Sequence, residues 1–159
     1  MTSIIKVDTL QKANGDTPTA ADLGINTTGN VIQVVSANYS TVIVSDNNTW
    51  VDTGLSCAIT PKFSNSKIMI LIDQNGRVES SWMAYRILRG ATAIKSAQYY
   101  LFDNNSTNNS SISFNFLDSP NTTSEVTYKT QFMRSQGGGD IKVNDNSAPA
   151  TIILMEIAQ

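Results

Sequence analysis

From Val31 onward the chain alternates apolar and polar residues in one short run after another. A period of two is the mark of strands with one buried face. "VIQVVSA" and "TVIVS" are β-branched runs separated by "NYS". "ISFNF" turns Ile112, Phe114 and Phe116 to one side. "EVTYKTQFM" turns Val126, Tyr128, Thr130 and Phe132 inward and leaves Glu125, Thr127, Lys129 and Gln131 to water. "WMAYRILRGATAIK" reads as a strand, a turn at Gly90 and a second strand; the alternative, a short helix over Trp82 to Leu88, lacks a capping residue. "DIKVN" adds a short strand and "ATIILMEIA" closes the series. About ten strands joined by Gly, Asn, Ser and Pro turns predict an all-β chain, an antiparallel jelly-roll β-sandwich. The polar stretches "DNNSTNNSS" and "RSQGGGD" are expected to be exposed, mobile connections.

Residues 1–30 break this pattern. Ile4, Ile5, Val7 and Leu10 make one short apolar strand, and "KANGDTPTAADLGINTTGN" then offers little to bury. The expected division is an extended anchoring arm over 1–30 and a sandwich head over 31–159. An isolated apolar strand can satisfy its backbone by joining the edge of a partner's sheet, so Ile4, Ile5, Val7 and Leu10 are the candidate anchoring residues.

Two later strands are apolar on both faces. In "KIMILI", Ile68, Ile70 and Ile72 share one face and Met69 and Leu71 the other; "TIILMEI" behaves alike. A strand in a two-layer sandwich normally shows one face to water. A second apolar face therefore predicts a subunit interface, with Met69, Leu71, Ile153 and Met155 as its candidates and a compact homotrimer as the expected assembly.

Composition sharpens the reading mainly by exclusion. Charged residues are 15% of the chain, against about 25% in an ordinary domain, and Asn, Ser and Thr make up about a third. A net charge of −2 offers no phosphate-binding surface, so nucleic acid is not an expected partner. No apolar run approaches the ~20 residues of a membrane helix, and no stretch resembles a signal peptide, so no membrane insertion is expected. The single cysteine, Cys57, lies in an apolar alternation and reads as a small core residue. The Asn-x-Ser/Thr triplets are what chance produces in such a chain.

The chain contains no histidine, which removes Ser-His-Asp, Cys-His and histidine-ligated zinc chemistry together. "QGGGD" lacks the Lys-Ser/Thr of a phosphate loop. "DIKVNDN" gathers Asp140, Asn144, Asp145 and Asn146 without calcium-loop spacing. Asp73, Glu79, Asp103 and Asp118 are the carboxylates that a glycoside hydrolase would need to pair. Nothing in their spacing pairs them, so neither an enzyme nor a cofactor is expected. Trp82, Tyr99 and Tyr100, with Phe102, are candidates for a ligand platform on which a sugar could stack; the competing assignment is core or interface.

"SIIKVDTLQ", "GNVIQVV", "WVDTGLSCAITPKFSNSKIMILIDQNG", "RILRGATAI", "FNFLDSPNTTSEVTYKTQF" and "TIILMEIAQ" together resemble a family of virion structural proteins of tailed bacteriophages, tail-fibre-like, of the kind found in marine phages. The resemblance spans nearly the whole chain and brings no catalytic residues. It implies a place on the particle surface after synthesis in the host cytoplasm: a fibre, spike or capsid-decoration subunit held to other virion proteins by its arm. A second role, recognition of a host-surface glycan or protein by distal loops, is compatible with the same molecule. In layout the head is similar to the trimeric jelly rolls of tumour necrosis factor and the complement globular heads.

Overall fold

A computed structural model describes residues 9–19, 22–23, 28–103 and 106–159. They form ten strands: β1 (Val31–Tyr39), β2 (Ile43–Ser45), β3 (Val51–Ile59), β4 (Lys67–Glu79), β5 (Ser81–Arg89), β6 (Thr92–Phe102), β7 (Thr107–Asp118), β8 (Val126–Gly137), β9 (Ile141–Val143) and β10 (Ala150–Ile157). The stretch from Trp82 to Leu88 lies within β5, so the helical alternative is not taken. The two polar stretches expected to be mobile loops are largely strand. Thr107–Ser111 pairs with Asn75–Glu79, and Arg134–Gly137 pairs with Ser81–Met83.

All pairings are antiparallel. β1, β10, β4 and β7 lie side by side in the first sheet. β4 is long enough to serve two neighbours on one edge, β10 through Lys67–Asp73 and the short β9 through Gly76–Val78, with β2 beyond β9. The second sheet runs β3-β8-β5-β6. With β2 and β9 set aside, successive long strands cross repeatedly between the sheets, and the two orders are those of a jelly roll.

The inward residues fill the space between the sheets. Ile68, Ile70 and Ile72 of β4, Ile152 and Leu154 of β10, and Ile112 and Phe114 of β7 face Leu55, Cys57 and Ile59 of β3, Met83, Tyr85 and Ile87 of β5, and Tyr128 and Phe132 of β8. Cys57 is buried in this cluster, as its alternation implies, and burial raises its thiol pKa. Gly54 explains the "DTGL" of β3. Its φ of +84° sits where the register of β3 slips between Asp52 and Ser56, and the Tyr39 ring occupies the place of a side chain. Only glycine takes both the backbone and the contact without strain.

Polar residues inside the sandwich are joined to one another. Tyr85 donates to the Gln74 carbonyl, Gln74 Nε2 donates to Asn144 Oδ1 at 2.9 Å, and Asn144 Nδ2 donates to the Thr41 carbonyl at 2.9 Å. Thr53 and Thr130 share a hydrogen bond beside them. This chain ties β4, β5 and the segment after β9 together across the core, and a buried chain left half-made would cost more than it contributes.

At one end of the sandwich Glu156 is fully buried, yet its carboxylate is well served. It accepts from Gln33 Nε2 at 2.6 Å and from the backbone N–H groups of Lys62 and Phe63 at 2.8 and 3.2 Å. Burial alone would raise its pKa; the Gln33 amide and those loop groups outweigh it and hold the carboxyl below the usual glutamate value. The "TPKFSNS" turn between β3 and β4 is thereby fixed. At the same end Asp118 accepts from Tyr128 Oη at 2.7 Å and pairs with Arg89 at 2.9 Å.

The chain enters the sandwich at this end too, where Gly29 donates to the Ala158 carbonyl and Ala158 donates to that of Asn30, both at 2.9 Å. Ile4, Ile5 and Val7 lie outside the described residues. Leu10 is 51% exposed. The arm is not extended throughout. Lys12 donates its backbone N–H to the Asp16 carbonyl and closes a turn, and Lys12 pairs with Asp22 at 2.6 Å.

Candidate interaction surfaces

The four expected interface residues meet on the outer face of the first sheet. Met69 lies directly opposite Met155, and Leu71 opposite Ile153. Register carries the row further than sequence reading did: Val34 of β1 pairs with Met155, and Leu117 of β7 pairs with Met69. Val34, Met155, Met69 and Leu117 thus form an unbroken aliphatic row across four strands. Val34 is 54% and Leu117 43% exposed, and the two methionines are half-buried by their neighbours. The next row, Ser36, Ile153, Leu71 and Asn115, is apolar only at its centre. The third row, Asn38, Thr151, Asp73 and Ser113, is polar, and a shallow hollow of about 190 Å³ lies between the two. Within a single subunit the two faces of "KIMILI" are covered unequally. The sandwich covers its isoleucines and leaves Met69 and Leu71 half-buried, because no second layer packs on the outer face.

Towards the far end, the same outer face becomes charged. Arg77 pairs with Glu79 and with Asp145 at 3.3 Å, and Lys142 reaches Glu79 at 3.7 Å.

The outer face of the second sheet is built differently. Asp52 accepts from Lys129 at 2.9 Å and from Gln131, whose carbonyl accepts from Arg86 Nε at 2.8 Å. The Arg86 guanidinium lies 4.1 Å from the centre of the Trp50 ring. Burial would raise the Asp52 pKa, but its bonds to Lys129 and Gln131 leave it below the usual aspartate value.

Of the expected ligand platform, Trp82 and Tyr99 come together, their ring centres 5.2 Å apart and nearly perpendicular. Tyr100 does not join them. It turns inward between Tyr85 and Phe114 and donates its hydroxyl to the Ser113 carbonyl. Phe102, named with them, does join, stacked on Trp82 at 4.7 Å. The cause is an irregularity in β6: Met83 pairs with Leu101, but Tyr85 pairs with Ala97. The extra residues break the alternation, so positions 99 and 102, which a regular strand would send to opposite faces, both reach Trp82.

The four carboxylates weighed for hydrolysis are separately engaged. Asp118 lies opposite Ile68 and Asp73 opposite Ser113 on the β4–β7 ladder. Five residues along a strand are roughly 16 Å, more than an acid and its partner can bridge. Asp73 accepts from Ser111, Glu79 holds Arg77 and Lys142, and Asp103 accepts from Ser106. In "DIKVNDN", Asn144 turns inward to Gln74 while Asp145 turns to Arg77, so their oxygens do not converge. Among the described residues no group of three or more carboxylates or thiols is arranged to hold a metal ion. Gly139 is packed against the β4–β5 turn, its carbonyl accepting from Ser81 Oγ at 2.7 Å and Arg134 Nη1 at 3.2 Å.

Strand order and surface thus define a jelly-roll sandwich with one aliphatic outer face. No protein-family model and no curated protein matches the sequence. Among solved structures, that of the infectious bursal disease virus Gt strain is similar at 13% identity and a TM-score of 0.45, over 81% of this chain and 39% of that one. The VP2 subviral particle of the same virus gives 13% and 0.44, over 81% and 38%. Dimeric latent PorU from Porphyromonas gingivalis gives 7% and 0.33, over 83% and 14%. The chain spans less than two fifths of the length of these proteins, and likenesses this distant transfer no function.

Proposed function

We propose that this chain is a non-enzymatic structural subunit of a tailed-phage virion. In this reading it is a jelly-roll head that trimerises through the first sheet and is tethered to the particle by residues 1–30. The observation that carries the reading is the aliphatic row Val34, Met155, Met69 and Leu117, with Leu71 and Ile153 beside it. The sandwich core is complete without these side chains. Full burial of one such residue contributes about 1.5–3 kcal/mol, so the row favours a partner rather than water. Ser36, Asn115 and the polar third row border it on the side away from the arm, as a polar rim borders the centre of a subunit contact. The threefold arrangement and the virion location rest on the sequence resemblances; the row supports self-association in either case.

Deleting residues 1–28 tests the division of labour, because it spares the bonds of Gly29 and Asn30 to Ala158. The truncated chain is expected to fold and trimerise but to be missing from purified particles when supplied in place of the full chain. Full incorporation would move the anchor into the head, and failure to fold would make the arm part of the core. Absence of the full-length chain from the particles would overturn the virion role itself.

A further inference from the structure

We propose that Trp82, Tyr99 and Phe102 form a binding site for a neutral hexopyranose unit of a surface glycan, on the second sheet and at the end away from the arm. The position follows from register. Val31, Ile157 and Lys67 mark the end where the chain enters, whereas Trp82 lies opposite Phe102, one residue from the Ser81–Gly137 pair at the other end. The site shares no residue with the aliphatic face and stands independently of the trimer.

Three observations carry it. The rings are exposed: Tyr99 is 57% and Phe102 54% accessible, on a sheet face whose middle is a polar network. Large aromatic surface left in water on an otherwise polar face marks a contact site. Second, the arrangement is built rather than incidental. It requires the β6 irregularity to bring Tyr99 and Phe102 to one side, and half-buried Trp82 then holds both, one edge-on and one stacked.

Third, the surrounding chemistry suits a sugar. The axial C–H groups of a pyranose present an apolar face that packs on an aromatic ring, while its hydroxyls need donors and acceptors around that ring. Gln136 lies opposite Trp82, Asn108 donates to the Phe102 carbonyl at 3.2 Å, and Ser106 is bonded to Asp103, the residue next to Phe102. Amides, a hydroxyl and a carboxylate bond to neutral hydroxyls. Arg134, a cation on the neighbouring strand, is directed to the Gly139 carbonyl and Asn48. The polar groups named therefore favour a neutral sugar over an anionic one.

The test is saturation-transfer NMR on the full chain with the methyl glycosides of glucose, galactose, mannose and N-acetylglucosamine. At least one is expected to receive saturation chiefly at the C–H protons of one ring face. Tyr99→Ala and Phe102→Ala should each weaken that binding at least tenfold, while Leu71→Asp on the other sheet leaves it unchanged. Thermal unfolding of each variant confirms that the sandwich is intact, and Tyr99→Phe, which keeps the ring, should retain most of the binding. No saturation with any of the four, or saturation that survives both alanine variants, overturns the proposal. So does a fall in oligomer mass on Tyr99→Ala or Phe102→Ala, which would make the cluster a subunit contact.

Discussion

The two sheets present outer faces of opposite character, and the difference shows what each face is suited to meet. The first sheet carries aliphatic side chains in register across four strands, without a polar partner among them at the end where the arm enters. Such a surface is flat and undirected, and it suits another surface of the same kind. The second sheet carries Asp52, Lys129, Gln131, Arg86 and Trp50 in mutual contact, and at its far end three aromatic rings beside amides and hydroxyls. Directional groups around ring faces suit a small polar ligand. Both faces cover a single shared core.

The sharpest way to break this comparison uses two adjacent residues. Ile70 is fully buried and Leu71 is on the outer face of the same strand. Ile70→Asp places a charge in the core and is expected to cost on the order of 4–5 kcal/mol or more, enough to abolish folding in a domain of ordinary stability. Leu71→Asp is expected to alter the stability of the separated subunit by less than about 1 kcal/mol while weakening assembly. Urea unfolding of both variants checks the contrast, and equal destabilisation would mean that Leu71 belongs to the core.

The next effect compares two carboxylates whose pKa values are both held low. Glu156 is buried at the arm end of the first sheet, and Asp52 is exposed on the second. Removing the buried acceptor by Glu156→Ala is expected to cost about 1–3 kcal/mol, against under about 1 kcal/mol for Asp52→Asn. Because the folded pKa of Glu156 lies below its unfolded value, its contribution is complete above the ordinary glutamate range and is lost as pH falls through the folded pKa. Melting temperature followed from neutral pH into the acid range should therefore fall more steeply for the wild type than for Glu156→Gln. Parallel curves would remove Glu156 from the acid response.

How much of this was legible in the sequence depended on how far each feature obeys strict alternation. Ile112, Phe114 and Tyr128 fall inside because the period of two fixes their side, and Met69, Leu71, Ile153 and Met155 stood out because their strands are apolar on both sides. Val34 and Leu117 join that row through register between strands distant in sequence, which no local pattern carries. Tyr100 leaves the expected platform and turns inward because of one irregularity in β6. Asn108 to Ser111 looked like loop, yet they pair with the second half of β4, Asn109 and Ser111 on the outer face and Asn108 and Ser110 opposite the buried Val78 and Gly76. Glu156, a carboxylate in an apolar run, gave no sign that it would hold the turn before β4.

The smallest expected effect is at the Arg86–Trp50 contact. Arg86→Leu should lower stability by about 0.5–1 kcal/mol, the range of an exposed cation–π pair, and leave assembly unchanged. A change in oligomer mass would show that the polar face also takes part in subunit contact, and the distinction between the sheets would narrow.

The central claim is that the aliphatic face of the first sheet is where copies of this chain meet. Light scattering on the purified full-length chain at micromolar concentration tests it most directly, with Leu71→Asp measured beside it. The expected result is about three chain masses for the wild type and one for the folded variant. A wild-type monomer, or a variant that keeps the wild-type mass, would contradict it.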